Sequence, residues 1–155
     1  MIIDSLLEFA DGESVAATAG TALIGDVINL QEARDIGNGE PVYVVILCDV
    51  DIITAGVAGT IAFSLASDAQ AAIATDGSAT IHFATGTFVT DDGALNELDA
   101  GHMIAAFALP MEGAEYEQYL GILCTTATTT TTAGAINAFV TKDVAKWQSY
   151  ADGQN

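Results

Sequence analysis

Side chains along this chain alternate with a period of two rather than the 3.6 of a helix. In residues 60–67, Ile61, Phe63 and Leu65 fall on one side and Thr60, Ala62, Ser64 and Ala66 on the other. That is the pattern of a half-buried strand. Residues 80–87 alternate less sharply, with Ile81, Phe83 and Thr85 opposing His82, Ala84 and Gly86. Residues 116–124 place Tyr116, Gln118, Leu120, Ile122 and Cys124 on one side. Residues 134–141 set Ile136, Ala138 and Val140 against Asn137, Phe139 and Thr141. Two runs, 42–50 and 103–109, are apolar on both sides and predict central strands covered by other layers. Residues 22–30 predict a strand bulged at Gly25, and residues 13–19 a weaker strand.

Turn signals separate these runs: Gly37-Asn38-Gly39, Asp76-Gly77-Ser78, Asp91-Asp92-Gly93 and Glu112-Gly113. Pro41 and Pro110 sit at strand ends, where a missing N–H does least harm. The pattern predicts an all-β protein, a single-domain antiparallel β-sandwich of about eight strands in a jelly roll, over residues 1–155. The threonine-rich stretch 125–132 is expected to be a long hairpin with its loop at 128–133. Residues 143–150 carry the one helical hint, so the tail 143–155 reads as a short helix or an extended segment.

Charge changes the picture. The chain has 21 acidic residues against three basic ones (Arg34, Lys142 and Lys146), a net charge of −18. Such a surface repels nucleic-acid phosphates and anionic membranes, so neither is an expected partner. It suits a soluble protein, a cationic protein partner or a salty habitat. The 51% hydrophobic content supports a packed core. No basic leader or membrane-length apolar run is visible, which predicts synthesis in the cytoplasm. Cys48 and Cys124 fall in apolar strand-like runs without zinc spacing, and buried free thiols are expected.

Catalytic patterns are missing. No phosphate-binding glycine loop and no G-x-S-x-G elbow occurs. His82 and His102 have no Ser or Cys set beside them by local sequence, and each is expected to be a structural histidine. Pairs such as Asp49/Asp51 and Asp91/Asp92 are expected by chance among so many acids. Asp91, Asp92, Asn96, Glu97 and Asp99 could offer oxygen to calcium, but they miss the EF-hand spacing and read as a solvated loop. The expectation is a protein with no catalytic residues, no bound metal and no cofactor.

The opening Met1-Ile2-Ile3-Asp4-Ser5-Leu6-Leu7-Glu8-Phe9-Ala10-Asp11, then Val27-Ile28-Asn29-Leu30 and Ala33-Arg34-Asp35-Ile36-Gly37-Asn38-Gly39-Glu40-Pro41-Val42-Tyr43-Val44, carry a resemblance. With Tyr119-Leu120-Gly121-Ile122 and Thr131-Thr132-Ala133-Gly134, they resemble the jelly-roll capsid cement (decoration) proteins of short-tailed double-stranded DNA phages. The likeness covers about residues 1–141 and is most specific over the first 47. It implies a virion protein on the outer surface of the icosahedral capsid, clamping major capsid protein subunits. It also implies a homo-oligomer, a dimer first and a trimer second. Ile2, Ile3, Leu6, Leu7 and Phe9 make residues 1–11 a candidate interacting arm. Such an arm would pair with a sheet edge of the shell or of another copy, or else form the first strand of its own sandwich. Arg34 is the other candidate interface residue, pairing with an acid of the shell, of another copy or of its own turn. The alternative function is a β-sandwich adhesion or carbohydrate-binding module, assisted by calcium or not.

Overall fold

The computed structural model describes residues 4–33, 40–54, 59–90, 98–111 and 113–144. A 3₁₀ turn at Ser5–Leu7 leads into nine strands: β1 Glu8–Ser14, β2 Gly20–Asn29, β3 Tyr43–Thr54, β4 Gly59–Asp68, β5 Thr80–Ala84, β6 Phe88–Thr90, β7 Met103–Ala108, β8 Tyr119–Ala127 and β9 Thr131–Thr141. They form two antiparallel sheets. The first has the order β1-β9-β3-β7 and the second β2-β8-β4-β5, with β6 also paired to β4. Strand β1 pairs with β9, β2 with β8, β3 with β7 and β4 with β6. That nesting is one long hairpin rolled over itself, a jelly roll. β5 and β6 lie end to end along the edge of β4 that β8 does not occupy, so they act as one interrupted strand. Counted that way, the sandwich has the eight strands that the alternation predicts.

Period-two alternation sends one face of each sheet inward. Val44, Ile46 and Cys48 of β3 and Ile136 and Ala138 of β9 meet Ile61, Phe63 and Leu65 of β4 and Leu120, Ile122 and Cys124 of β8. One flank is closed by Phe83 stacked on Phe107, with ring centroids 3.7 Å apart. The other is closed where β1 meets β2. Gly25 there has φ +63, and any Cβ would collide with the Phe9 carbonyl. The pairing of β2 with β8 shifts register between Ile24 and Ile28, which is the predicted bulge. Residues 69–79 fold back over the outside of the second sheet. Ile73 and Ala79 form a small cluster there with Ala66 and Leu123.

Three sequence expectations need correction. The weak strand at 13–19 is displaced: β1 runs Glu8–Ser14, because Asp11-Gly12 is absorbed as a bulge in the pairing with β9 rather than made into a turn. The threonine stretch is not a hairpin, since β8 ends at Ala127 in one sheet and β9 begins at Thr131 in the other. The Thr131 N–H donates to the Ala17 carbonyl at 3.0 Å during that crossing. The run 103–109 is not central. β7 is an edge strand whose outward positions, Ala106 and Ala108, are exposed. Phe9, a candidate interacting residue of the arm, is 1% exposed and packs in the core as part of β1, the other reading of that segment.

Candidate functional site

The inward face of β4 does not end at Leu65. The next inward position is Ser67, a polar group at 0% exposure, which therefore needs partners. The register of β4 with β5 supplies one: the Ser67 hydroxyl and His82 Nε2 are 2.7 Å apart. The Glu117 N–H donates to the same hydroxyl at 3.0 Å. His82 stacks on Tyr116 with centroids 4.0 Å apart, and the Tyr116 hydroxyl donates to the Pro110 carbonyl at 2.8 Å. Glu117 in turn accepts a 2.8 Å hydrogen bond from the Thr80 hydroxyl. Burial disfavours the imidazolium and lowers the His82 pKa, against a smaller opposing pull from the Glu117 charge.

A serine hydroxyl on a neutral imidazole is the first half of a nucleophilic dyad. Here the serine is wholly enclosed by its own sheet, and its oxygen is already held by a backbone N–H. No substrate carbonyl can reach it. The arrangement fastens the segment before β8 to the β4–β5 edge. His82 is hydrogen-bonded and stacked, and the serine beside it is brought there by strand register rather than by local sequence. Parity along β4 could have placed Ser67 inward; the strand register that brings it to His82 could not be read.

The other candidate groups are engaged by backbone or side-chain neighbours. Asp49 accepts from the Asn137 side chain at 3.1 Å, and Asn137 accepts from the Gly12 N–H at 2.6 Å. Asp51 accepts from the Ala100 N–H at 2.7 Å. Asp68 holds the N–H groups of Gln70 and Ala74. Cys48 and Cys124 are free and buried in opposite sheets, and burial pushes their pKa values up to about 12 and about 11. The Cys48 thiol donates to the Leu98 carbonyl at 2.9 Å. Among the described residues, no three His, Cys, Asp or Glu side chains converge in the manner of a metal site. Of the acidic-loop candidates, only Asp99 lies within the described residues.

What remains is surface. Leu6 and Leu7 on the 3₁₀ turn are 77% and 43% exposed, held at the N-terminal edge by Asp4, whose carboxylate accepts from the Leu6 N–H. Ile2, Ile3 and Arg34 lie outside the described residues. The outer face of the second sheet offers a second surface. Rows through Ser64, Ala62 and Thr60 of β4 reach Thr125 and Ala127 on β8 and Ala84 and Val89 on the β5–β6 edge, while Leu123 beside Ser64 is buried under residues 69–79. Not one of these side chains is charged, in a chain with 21 acids. A recess of about 230 Å³ opens at one end of the face, walled by Ala74, Ala79, Ile81 and Ala84.

The rolled hairpin, with no reachable polar constellation among the described residues, defines a jelly-roll protein whose candidate functional features are surfaces. The chain belongs to the Bbp16 family, whose family model matches residues 9–140. No curated protein matches it. The match covers β1 to β9 almost entirely and leaves out the 3₁₀ turn that carries Leu6 and Leu7.

Proposed function

We propose that this chain is a phage capsid cement protein, bound to the outside of the icosahedral head and stabilising contacts between major capsid protein subunits. The observation that carries the reading is the pair of adjacent leucines presented to solvent on the turn before β1. Adjacent exposed leucines on a −18 surface give a place where burial against a protein partner is favourable. The resemblance of residues 1–141 to cement proteins supports the same role. A cement protein needs no catalytic group. It stabilises a shell by binding the assembled form over the dissociated one, and repetition over the lattice multiplies modest energies. The polar cluster at Ser67 is then a rivet rather than a reactive centre.

The role is tested on purified virions and on heads stripped of surface proteins. The chain is expected in virions in a fixed ratio to the major capsid protein, and added chain is expected to restore the heads' resistance to heat. The arm is tested by removing residues 1–7 only, because Glu8 and Phe9 belong to β1. The truncated chain should keep its melting transition and lose most of its head occupancy. Virions lacking the protein would end the proposal, and undiminished binding by the truncated chain would end the role of the arm.

A further inference from the structure

We propose that the shell segment covering Leu6 and Leu7 carries a lysine or arginine beside its apolar contact, and that this cation enters a recess lined by Glu8, Asp11, Glu13 and Asp26. This rests on the cement reading and adds the partner's chemistry: a basic, partly apolar stretch of the major capsid protein. The recess measures about 110 Å³ and lies between the first turn, β1 and β2. Two bulges assemble it. The pairing of β1 with β9 shifts register between Ala10 and Glu13, and that of β2 with β8 between Ile24 and Ile28. At the second bulge Gly25 lies against the Phe9 carbonyl, which sets Asp26 beside the acids of β1.

Desolvation decides what the partner must bring. Ser5 belongs to the turn that presents the two exposed leucines, and it also walls the recess. Whatever buries the leucines therefore takes water from the carboxylates beside them. An ionised carboxylate that loses water without gaining a partner is costly. Among the described residues no cation sits with these four acids, and the lysine that forms an ion pair, Lys142, holds Glu40. A wholly apolar partner would lose at the recess what it gained at the leucines, whereas a partner with a cation gains at both. Among the described residues no three acids converge as metal ligands, so the fitting occupant is a side-chain ammonium or guanidinium. The aliphatic stem of such a side chain can cover leucine surface while its head stays among the acids.

The test measures binding of the full-length chain to heads stripped of surface proteins, over a range of sodium chloride. Asp11→Asn with Glu13→Gln alters two exposed side chains and leaves Leu6 and Leu7 in place. This double variant should melt no lower than the wild type. It should bind about tenfold more weakly at low salt, and lose binding less steeply as salt is added. Asp76→Asn with Glu115→Gln removes the same charge from exposed positions outside the recess. That control should bind like the wild type, which separates a local ion pair from the general field. Leu6→Ser with Leu7→Ser should weaken binding at every salt concentration and keep the wild-type salt dependence. An acid variant that binds as tightly as the wild type, or an equal loss in the control, overturns the inference and leaves the cement reading standing. So does an acid variant that melts lower, because the recess would then hold a cation of the chain itself. A wild-type chain that leaves the heads bare ends both.

Discussion

Ser67 and His82 show how this protein uses a titratable group that performs no reaction. The ring accepts burial because, when neutral, it can share a hydrogen with the Ser67 hydroxyl and stack on Tyr116. Protonation would place a cation in a site whose burial already lowers the His82 pKa. The unfolded chain has an ordinary histidine, so it binds more protons than the folded chain as the pH falls through about 6.5. The stabilisation is thus complete above that value and is lost progressively below it. Denaturant unfolding measured from pH 7.5 to pH 5.5 should show stability falling with pH, and His82→Gln should flatten that slope. An unchanged slope in the variant would mean that the imidazole is not held neutral by the fold. At this scale the sequence is only half legible. Parity places Ser67 inward, but the hydrogen bond to His82 spans fifteen residues and depends on a register shift between Leu65 and Ala66.

Elements explain why strands were easier to read than sheets. Alternation says which side chains share a face, and β4 follows it most closely, with Ile61, Phe63 and Leu65 entering the core. It does not say which sheet a strand joins. The threonine stretch therefore reads as a hairpin when it is a crossing, and β7 reads as central although its outer positions are mere alanines at an edge. Residues 69–79 are the element that periodicity misses altogether. They have no repeat, yet Ile73, 3% exposed, anchors them on the back of β8. Gly121 leaves the room for it: a Cβ there would stand 2.7 Å from Ile73 Cδ1. Ile73→Ala should cost about 2–3 kcal/mol, since it empties a small cluster with little means of collapsing. Proteolysis and amide exchange should locate the loosening in residues 69–79, with β3 and β9 still protected. Exchange rising evenly across both sheets would show instead that the segment is integral to the main core.

For the whole molecule, the net charge of −18 opposes compaction, because folding concentrates carboxylates that the unfolded chain keeps apart. Local chemistry offsets part of this. Asp4, Asp51, Asp68 and Asp76 accept from backbone N–H groups, and at Asp76 the Ser78 hydroxyl and N–H hold the carboxyl below its usual pKa. Lys142 pairs with Glu40 at 2.7 Å, and that hydrogen bond, aided by the lysine charge, holds the Glu40 carboxyl below its usual pKa. Both side chains are largely exposed, so the pair relieves little of the general repulsion. Long-range repulsion between surface charges is what salt screens, while the core and the backbone hydrogen bonds respond far less. Sodium chloride should therefore raise the melting temperature at neutral pH, by roughly 3 °C for each ~1 kcal/mol of repulsion removed in a domain of this size. Calcium chloride at matched ionic strength separates screening from binding. If the acids act only through their summed field, the two salts should give similar curves. A saturating extra rise at low calcium would reveal a specific site among the carboxylates and would favour the calcium-assisted adhesion module over the cement protein.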